Sequence, residues 1–248
     1  MDDRAASATE RLWLTDPRRK TCLARVVAFR GDAVALDRSL FTPASHAYRH
    51  PQPADQGTAW WEGEKRWVDR VWERDGTLWH RLRGVVPPMG SELNLHLDPD
   101  RRQLASRAHT ALHLLLKALA DAYAPPLAAD PEVKGGGTAR IELAGDLAPA
   151  RLAQALARAT QWVAQDKPIE RSFLPRDAAA RLLDAQSFDP PDPFPGPADV
   201  LQVARIDGVC AYPCDGTHVE RTSQVGRIVV TSARPGRGGR FVVALRVT

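Results

Sequence analysis

Up to about residue 98 the chain alternates apolar and polar positions in short runs, a period of two that predicts β-strands with one buried face. Arg30-Gly31-Asp32 and Asp75-Gly76 break the alternation with turn residues and predict hairpins. The pattern then changes. Asp98-Pro99 supplies a capping carboxylate and a proline for the first helical position, and the run from Ala111 to Ala120 is apolar nearly all round. A long buried helix is predicted there, stopped by Ala124-Pro125-Pro126. Further on, the spacing predicts a strand at about 138–144, a helix at about 149–166 and a strand at about 169–174. A short helix near 176–185 follows, then three closing strands at about 200–207, 226–233 and 240–247. Between these, Asp189 to Pro197 carries five prolines in nine residues and reads as an ordered loop or lid. The order of elements implies an α+β chain. A small β-barrel is expected over residues 1–98, then a domain over 99–248 with an antiparallel sheet covered by helices on one side. No internal repeat is evident.

Six of the seven tryptophans (Trp13, Trp60, Trp61, Trp67, Trp72 and Trp79) fall in the first segment. At strand spacing they predict an aromatic-filled barrel, with base stacking as the functional alternative to a core role.

Composition narrows the class. With 248 residues and 44% hydrophobic content the chain can build one large or two modest cores. No run approaches the ~18–20 apolar residues of a membrane span, and the opening Met-Asp-Asp-Arg lacks a secretory signal's order, so a soluble cytoplasmic protein is expected. Three cysteines, Cys22, Cys210 and Cys214, cannot form a disulfide framework and fit a reducing compartment. Net charge is only +4, yet Arg221 to Thr248 holds six arginines and no acid. That tail is either a solvated face or a surface for RNA phosphates. Lys134-Gly-Gly-Gly137 and Arg234 to Arg240 are either turns between strands or open backbone near an RNA end.

The sharpest chemistry lies in His109-Thr-Ala-Leu-His113 and Cys214-Asp-Gly-Thr-His218. Each pair has one-turn spacing, and together they offer three imidazoles and one thiolate, a donor set suited to tetrahedral zinc. On a helix, His109 and His113 project from one face about 5–6 Å apart at Cβ. The alternative is two separately satisfied core histidines. Their apolar surroundings argue against it, because an unpaired buried imidazole nitrogen costs a few kcal/mol, whereas coordination satisfies it. A zincin-type protease is excluded, since its Glu after the first His is here Thr110. Thr110 and Thr217 flank the ligands and are the candidate catalytic hydroxyls, although backbone bonding is the commoner fate of Thr. Four protein ligands usually mark structural zinc, while a catalytic ion keeps a position open, so both roles stand at this point. Asp215 is a candidate neighbour of the ligands, and Cys210 a spare ligand or a buried inert thiol. His46, His50, His80 and His96 lack a partner at ligand spacing and read as ordinary surface or strand residues, and Cys22 as core.

Arg107 to Leu115 and Pro213 to Val219 resemble the paired zinc motifs of the alanyl-tRNA synthetase editing domain and of the free-standing AlaX-type trans-editing proteins. Thr138-Ala-Arg-Ile-Glu-Leu143, Ile206-Asp-Gly208, Gln224 to Ile228, Gly238 to Val243, Asp37-Arg-Ser-Leu-Phe41 and Gln52-Pro-Ala-Asp-Gln-Gly57 follow in the family's order, so the resemblance covers nearly the whole chain. Gly216-Thr217-His218 is similar to the alanine branch rather than to the Gly-Pro-His of the threonyl-tRNA synthetase editing domain. The resemblance implies an editing domain over 99–248 with catalytic zinc held by His109, His113, Cys214 and His218. It also implies hydrolysis of mischarged tRNA(Ala) bound by its acceptor end, seryl-tRNA(Ala) first and glycyl-tRNA(Ala) second. Ser39 matches the position that recognises the serine hydroxyl, and Gln52 matches the Gln of the Gly-Gly-Gly-Gln loop. Arg49-His50-Pro51 replaces that loop's glycines, Asp215 replaces a Gly, and Cys210 stands where relatives carry Asp or Ser. With no region long enough for an aminoacylation domain, action in trans is expected. The rival readings are a non-catalytic RNA-binding module with structural zinc, and a deacylase of a different aminoacyl-tRNA.

Overall fold

A computed structural model describes residues 8–44, 51–122, 129–184 and 200–248. The expectations for the first residues, His46, Arg49-His50, Ala124-Pro125-Pro126 and the proline-rich 189–197 segment lie outside the described residues. The chain is α+β and divides into two compact units. One gathers residues up to Ala44 and Pro53–Arg102; the other gathers Pro51, Gln52 and Gln103–Thr248.

In the first unit, β1 (Glu10–Arg11) and α1 (Leu12–Thr15) precede β2 (Thr21–Arg30), β3 (Ala33–Leu36) and β4 (Arg38–Ser39). Then come β5 (Gly57–Trp61), β6 (Glu64–Arg74), β7 (Thr77–Leu82) and β8 (Glu92–Leu97). Six of these close an antiparallel barrel in the order β2-β3-β7-β6-β5-β8. Gly31 and Gly76 turn the β2–β3 and β6–β7 hairpins at φ 61° and 75°, the left-handed region that favours glycine. Inward positions alternate as the sequence pattern requires, with Ala24 and Val26 on β2, Ala59 on β5, Val68 on β6, and Leu93 and Leu95 on β8 all buried.

The barrel is not filled by its tryptophans. Among the described residues its apolar core is aliphatic apart from Phe41, and Trp61 packs only partly against it. Trp13 is buried, but Trp60 and Trp67 are 40% and 56% exposed. The cause is register: Trp60 pairs with Lys65, and Thr58 with Trp67, on the face opposite Ala59 and Val68.

The polar side chains buried inside this unit include two linked sets. Asp55 accepts from the Thr42 backbone N–H (2.7 Å) and from Arg102 Nε (2.9 Å), while Arg102 Nη2 also donates to the Leu40 carbonyl (2.9 Å). His80, wholly buried, meets the Ser39 hydroxyl at 2.7 Å through Nε2. Burial lowers the His80 pKa from 6.5 to about 4. The unfolded chain therefore binds a proton near pH 6.5 that the folded chain refuses until about pH 4. Stability is lost as pH falls through that window, by up to roughly 3 kcal/mol. Replacing His80 with Gln should flatten the fall in unfolding free energy between pH 7 and 4.5; a variant with the wild-type slope would refute this assignment.

The second unit is built around α2 (Pro99–Ala122), whose first turn is capped by Asp98, its Oδ1 accepting the Arg101 N–H at 3.0 Å. Its other elements are β9 (Ala129–Gly135), β10 (Thr138–Ala144), α3 (Pro149–Ala164), β11 (Ile169–Pro175) and α4 (Arg176–Asp184). They continue with β12 (Val200–Ile206), β13 (Cys210–Pro213), β14 (Ile228–Pro235) and β15 (Arg240–Val247). In place of one sheet the described residues form two: β14-β15-β10-β9 and β11-β12-β13. The second exists because β13, absent from the periodicity reading, turns back at Gly208 (φ 66°) and pairs Cys210 with Ile206. The Gly135 to Gly137 run is a hairpin turn, linking β9 to β10. Leu112, Leu115, Leu116 and Leu119 of α2 are fully buried with residues from both sheets and α3, each contributing roughly 1.5–3 kcal/mol.

Candidate metal centre

A helix apolar on every side is normally all core, yet α2 carries Ser106, His109, Thr110 and His113 at three- and four-residue spacing, a polar stripe along one line. All four are buried. The chain leaving β13 brings Cys214, Gly216, Thr217 and His218 against that stripe.

The donor atoms of His109, His113, Cys214 and His218 all lie within 4.8 Å of one another. Cys214 Sγ is 3.3 Å from His109 Nε2 and 3.2 Å from His218 Nε2. The three imidazole centroids are 4.7–4.9 Å apart. With metal–sulfur and metal–nitrogen bonds of about 2.3 and 2.0–2.1 Å, a tetrahedral ion separates such donors by roughly 3.3–3.6 Å. The sulfur–nitrogen spacings agree with that within a few tenths of an ångström. The chemistry fits as well. Burial, reinforced by the Asp215 carboxylate, pushes the Cys214 thiol well above its ordinary range, a cost that a cation among the donors reverses. The residues present therefore suit a zinc ion.

The ring tautomers are set from behind. The Thr217 backbone N–H can only donate, so the Gln52 atom it meets at 3.0 Å is the carbonyl oxygen Oε1. That oxygen also lies 2.7 Å from His109 Nδ1, which must carry the proton, leaving the Nε2 lone pair facing Cys214 Sγ. The amide group of Gln52 then donates to Thr217 Oγ1 at 2.9 Å, which receives a second bond from the Ser106 hydroxyl at 2.8 Å. His218 is held in the same manner. Thr110 spends its proton on the Ser106 carbonyl (2.9 Å) and so accepts from His218 Nδ1 at 3.2 Å, again turning Nε2 toward sulfur. His113 packs its ring 4.6 Å from that of Tyr212.

Gly216 does not serve a left-handed turn. A Cβ there would stand 2.1 Å from His109 Cε1 and 2.9 Å from Gln52 Oε1, so glycine is required by the approach of the imidazole. Ser106 was missed in the sequence reading, although its place three residues before His109 on the polar stripe was a usable signal. Of the remaining candidates, Ser39 lies in β4 of the first unit, buried, with its hydroxyl accepting the Phe41 N–H at 3.1 Å and facing His80. Cys210 is buried in the core of the second unit, and burial raises its thiol far above its usual range. Cys22 is half-buried, its thiol pushed up to about 11 by burial.

No family model matches the chain. It is 29% identical over 228 residues to the alanine–tRNA ligase of Methanopyrus kandleri, covering 90% of this chain and 24% of that protein. The ligase of Korarchaeum cryptofilum is 29% identical over 236 residues, 93% of this chain and 25% of its own. The alanyl-tRNA editing protein AlaX-L of Pyrococcus horikoshii is 27% identical over 234 residues, 89% of this chain and 54% of that protein. The chain thus spans about a quarter of the ligases and about half of AlaX-L. Among the described residues no helix is long and apolar enough to cross a membrane. Along about nine-tenths of its length the chain is a homologue of these alanine–tRNA ligases and of the alanyl-tRNA editing protein AlaX-L.

Proposed function

We propose that this protein hydrolyses the aminoacyl ester of mischarged tRNA(Ala), seryl-tRNA(Ala) foremost and glycyl-tRNA(Ala) second, with zinc held by His109, His113, Cys214 and His218. The observation that carries the reading is the convergence of these four donors within 4.8 Å in a chain similar to an alanyl-tRNA editing protein. A bound zinc ion supplies Lewis acidity, polarising a carbonyl or lowering the pKa of water toward ~7. The chain's own groups do the rest. Gln52 and Thr110 hold protons on His109 Nδ1 and His218 Nδ1, so both rings offer Nε2 to the ion. Thr217 and Ser106 fix Gln52 in turn. Thr110 and Thr217 are accordingly positioning residues in this reading. The family resemblance gives Ser39 the role of recognising the substrate hydroxyl, and in the first unit its own hydroxyl meets His80 Nε2 and the Phe41 N–H; a buried polar partner separates serine from alanine far better than shape does. The acceptor end of the tRNA is the part recognised, and the cytoplasm is the compartment.

Incubating the purified protein with seryl-, glycyl- and alanyl-tRNA(Ala) tests this. Serine should be released faster than alanine, and the reading fails if serine release does not exceed that of a His109→Ala variant. A four-donor set also favours a second reading, structural zinc without chemistry. Removing the metal would then unfold the protein, whereas an editing site loses hydrolysis with the fold retained.

A further inference from the structure

The outer wall of the barrel carries a feature that the donor cluster does not use. Register puts Leu23, Asn94, Trp60 and Lys65 side by side across β2, β8, β5 and β6. One step along the strands, Thr21, His96, Thr58 and Trp67 form the neighbouring row. These positions alternate with the buried Ala24, Ala59, Leu93 and Leu95, so both rows face away from the barrel core. Leu23 is 57%, Trp60 40% and Trp67 56% exposed.

The two rows contain a cation and no acid. Lys65 Nζ stands 4.4 Å above the Trp67 ring, and Trp60 meets His96 edge-on with centroids 6.5 Å apart. Asp69, further along β6, is held between Arg81 (2.7 Å) and Arg83 (2.5 Å), so that edge of the wall is also net positive. A contiguous exposed apolar patch rimmed by polar residues marks an interaction site. Rings interleaved with cations are the composition that meets nucleotides, the rings stacking on bases and the cations meeting phosphates. A second copy of the chain is disfavoured, because a two-fold contact through this face sets its cations against themselves.

We infer that the wall formed by Trp60, Lys65 and Trp67 is an RNA-docking surface that takes unpaired nucleotides of the tRNA. The inference rests on the tRNA reading above and extends it to a surface made wholly of the first unit. The test is titration of the full chain with deacylated tRNA(Ala) and with a ten-nucleotide oligoadenylate, read by quenching of tryptophan fluorescence and by anisotropy of labelled RNA. Trp67→Ala and Trp60→Ala should each weaken binding at least about fivefold. Trp67→Phe, which keeps a stacking ring, should retain most of the affinity. Lys65→Ala should lower the slope of log affinity against log salt by about 0.7–0.9. In hydrolysis, Trp67→Ala should raise KM by the same factor and leave kcat unchanged. Wild-type affinity in the alanine variants would overturn the surface while leaving hydrolysis by the wild type intact. Ring-dependent RNA binding by a wild type that releases no serine would overturn only the proposed function. A dimer that dissociates on Trp67→Ala, read by sedimentation, would assign the wall to self-association and also overturn the inference.

Discussion

On the proposed zinc-hydrolase reading, exchange of Cys214 for Ser should abolish zinc binding and reduce serine release to background with little change in secondary structure. Cys214 is the shared neighbour of two imidazoles, at 3.3 and 3.2 Å, and lies fully buried. Serine fits the volume but offers a hydroxyl that does not ionise in such surroundings, so the ion loses its anionic donor. His109→Ala removes a donor and, with it, the group on which Gln52 closes. The loss in metal affinity and in hydrolysis should exceed about 100-fold for either change, because partners one step removed from a metal already cost roughly 10–100-fold. Gln52→Ala supplies that intermediate comparison: the four ligands remain while the His109 tautomer is released. Metal analysis after dialysis, coupled to deacylation rates, measures both quantities. A Cys214→Ser protein that keeps one zinc per chain and the wild-type rate would remove the four-donor site from the account.

What local sequence could and could not reveal follows from the range of the interactions. The α2 start at Asp98-Pro99, the hairpins at Gly31 and Gly76, and strands such as Thr138–Ala144 depend on neighbours a few residues apart, and the pattern exposes them. The pairs His109/His113 and Cys214/His218 were visible for the same reason, since each sits within one turn of chain. The bonds that orient the rings were hidden. Gln52 and Thr217 are 165 residues apart, and nothing in either stretch announces the other. The second sheet was missed because β13 is four residues long, too short to show a period. Trp60 and Trp67 were misjudged as core because a strand's alternation identifies two faces without saying which is inside. The aliphatic partners Ala59 and Val68 decide that, and small residues weigh little in a reading led by rings. Ser39 and His80 form a buried pair across 41 residues, invisible to spacing.

Breaking the ion pair beneath the barrel should be the most costly single change in the first unit. Arg102 Nε donates to both carboxylate oxygens of Asp55 at 2.9 and 3.0 Å, and Nη2 closes a further bond to it. Both side chains are almost wholly buried, at 9% and 3% exposure. Asp55 also ties down Thr42, through its N–H at 2.7 Å and its hydroxyl at 2.5 Å. Neither charge has water to fall back on once its partner is gone. Asp55→Ala or Arg102→Met should therefore lower the unfolding free energy by about 3–5 kcal/mol, the range for an uncompensated buried charge. Replacing both residues with apolar side chains of similar volume, Asp55→Leu with Arg102→Met, should restore much of that loss, since no orphaned charge remains. Six of the seven tryptophans precede residue 80, so fluorescence during urea unfolding reports this unit selectively. Single variants within about 1 kcal/mol of wild type would place the pair with surface ion pairs in its worth. A double variant as unstable as the singles would show instead that the bonds to Thr42 and Leu40, and not the unpaired charge, carry the stability.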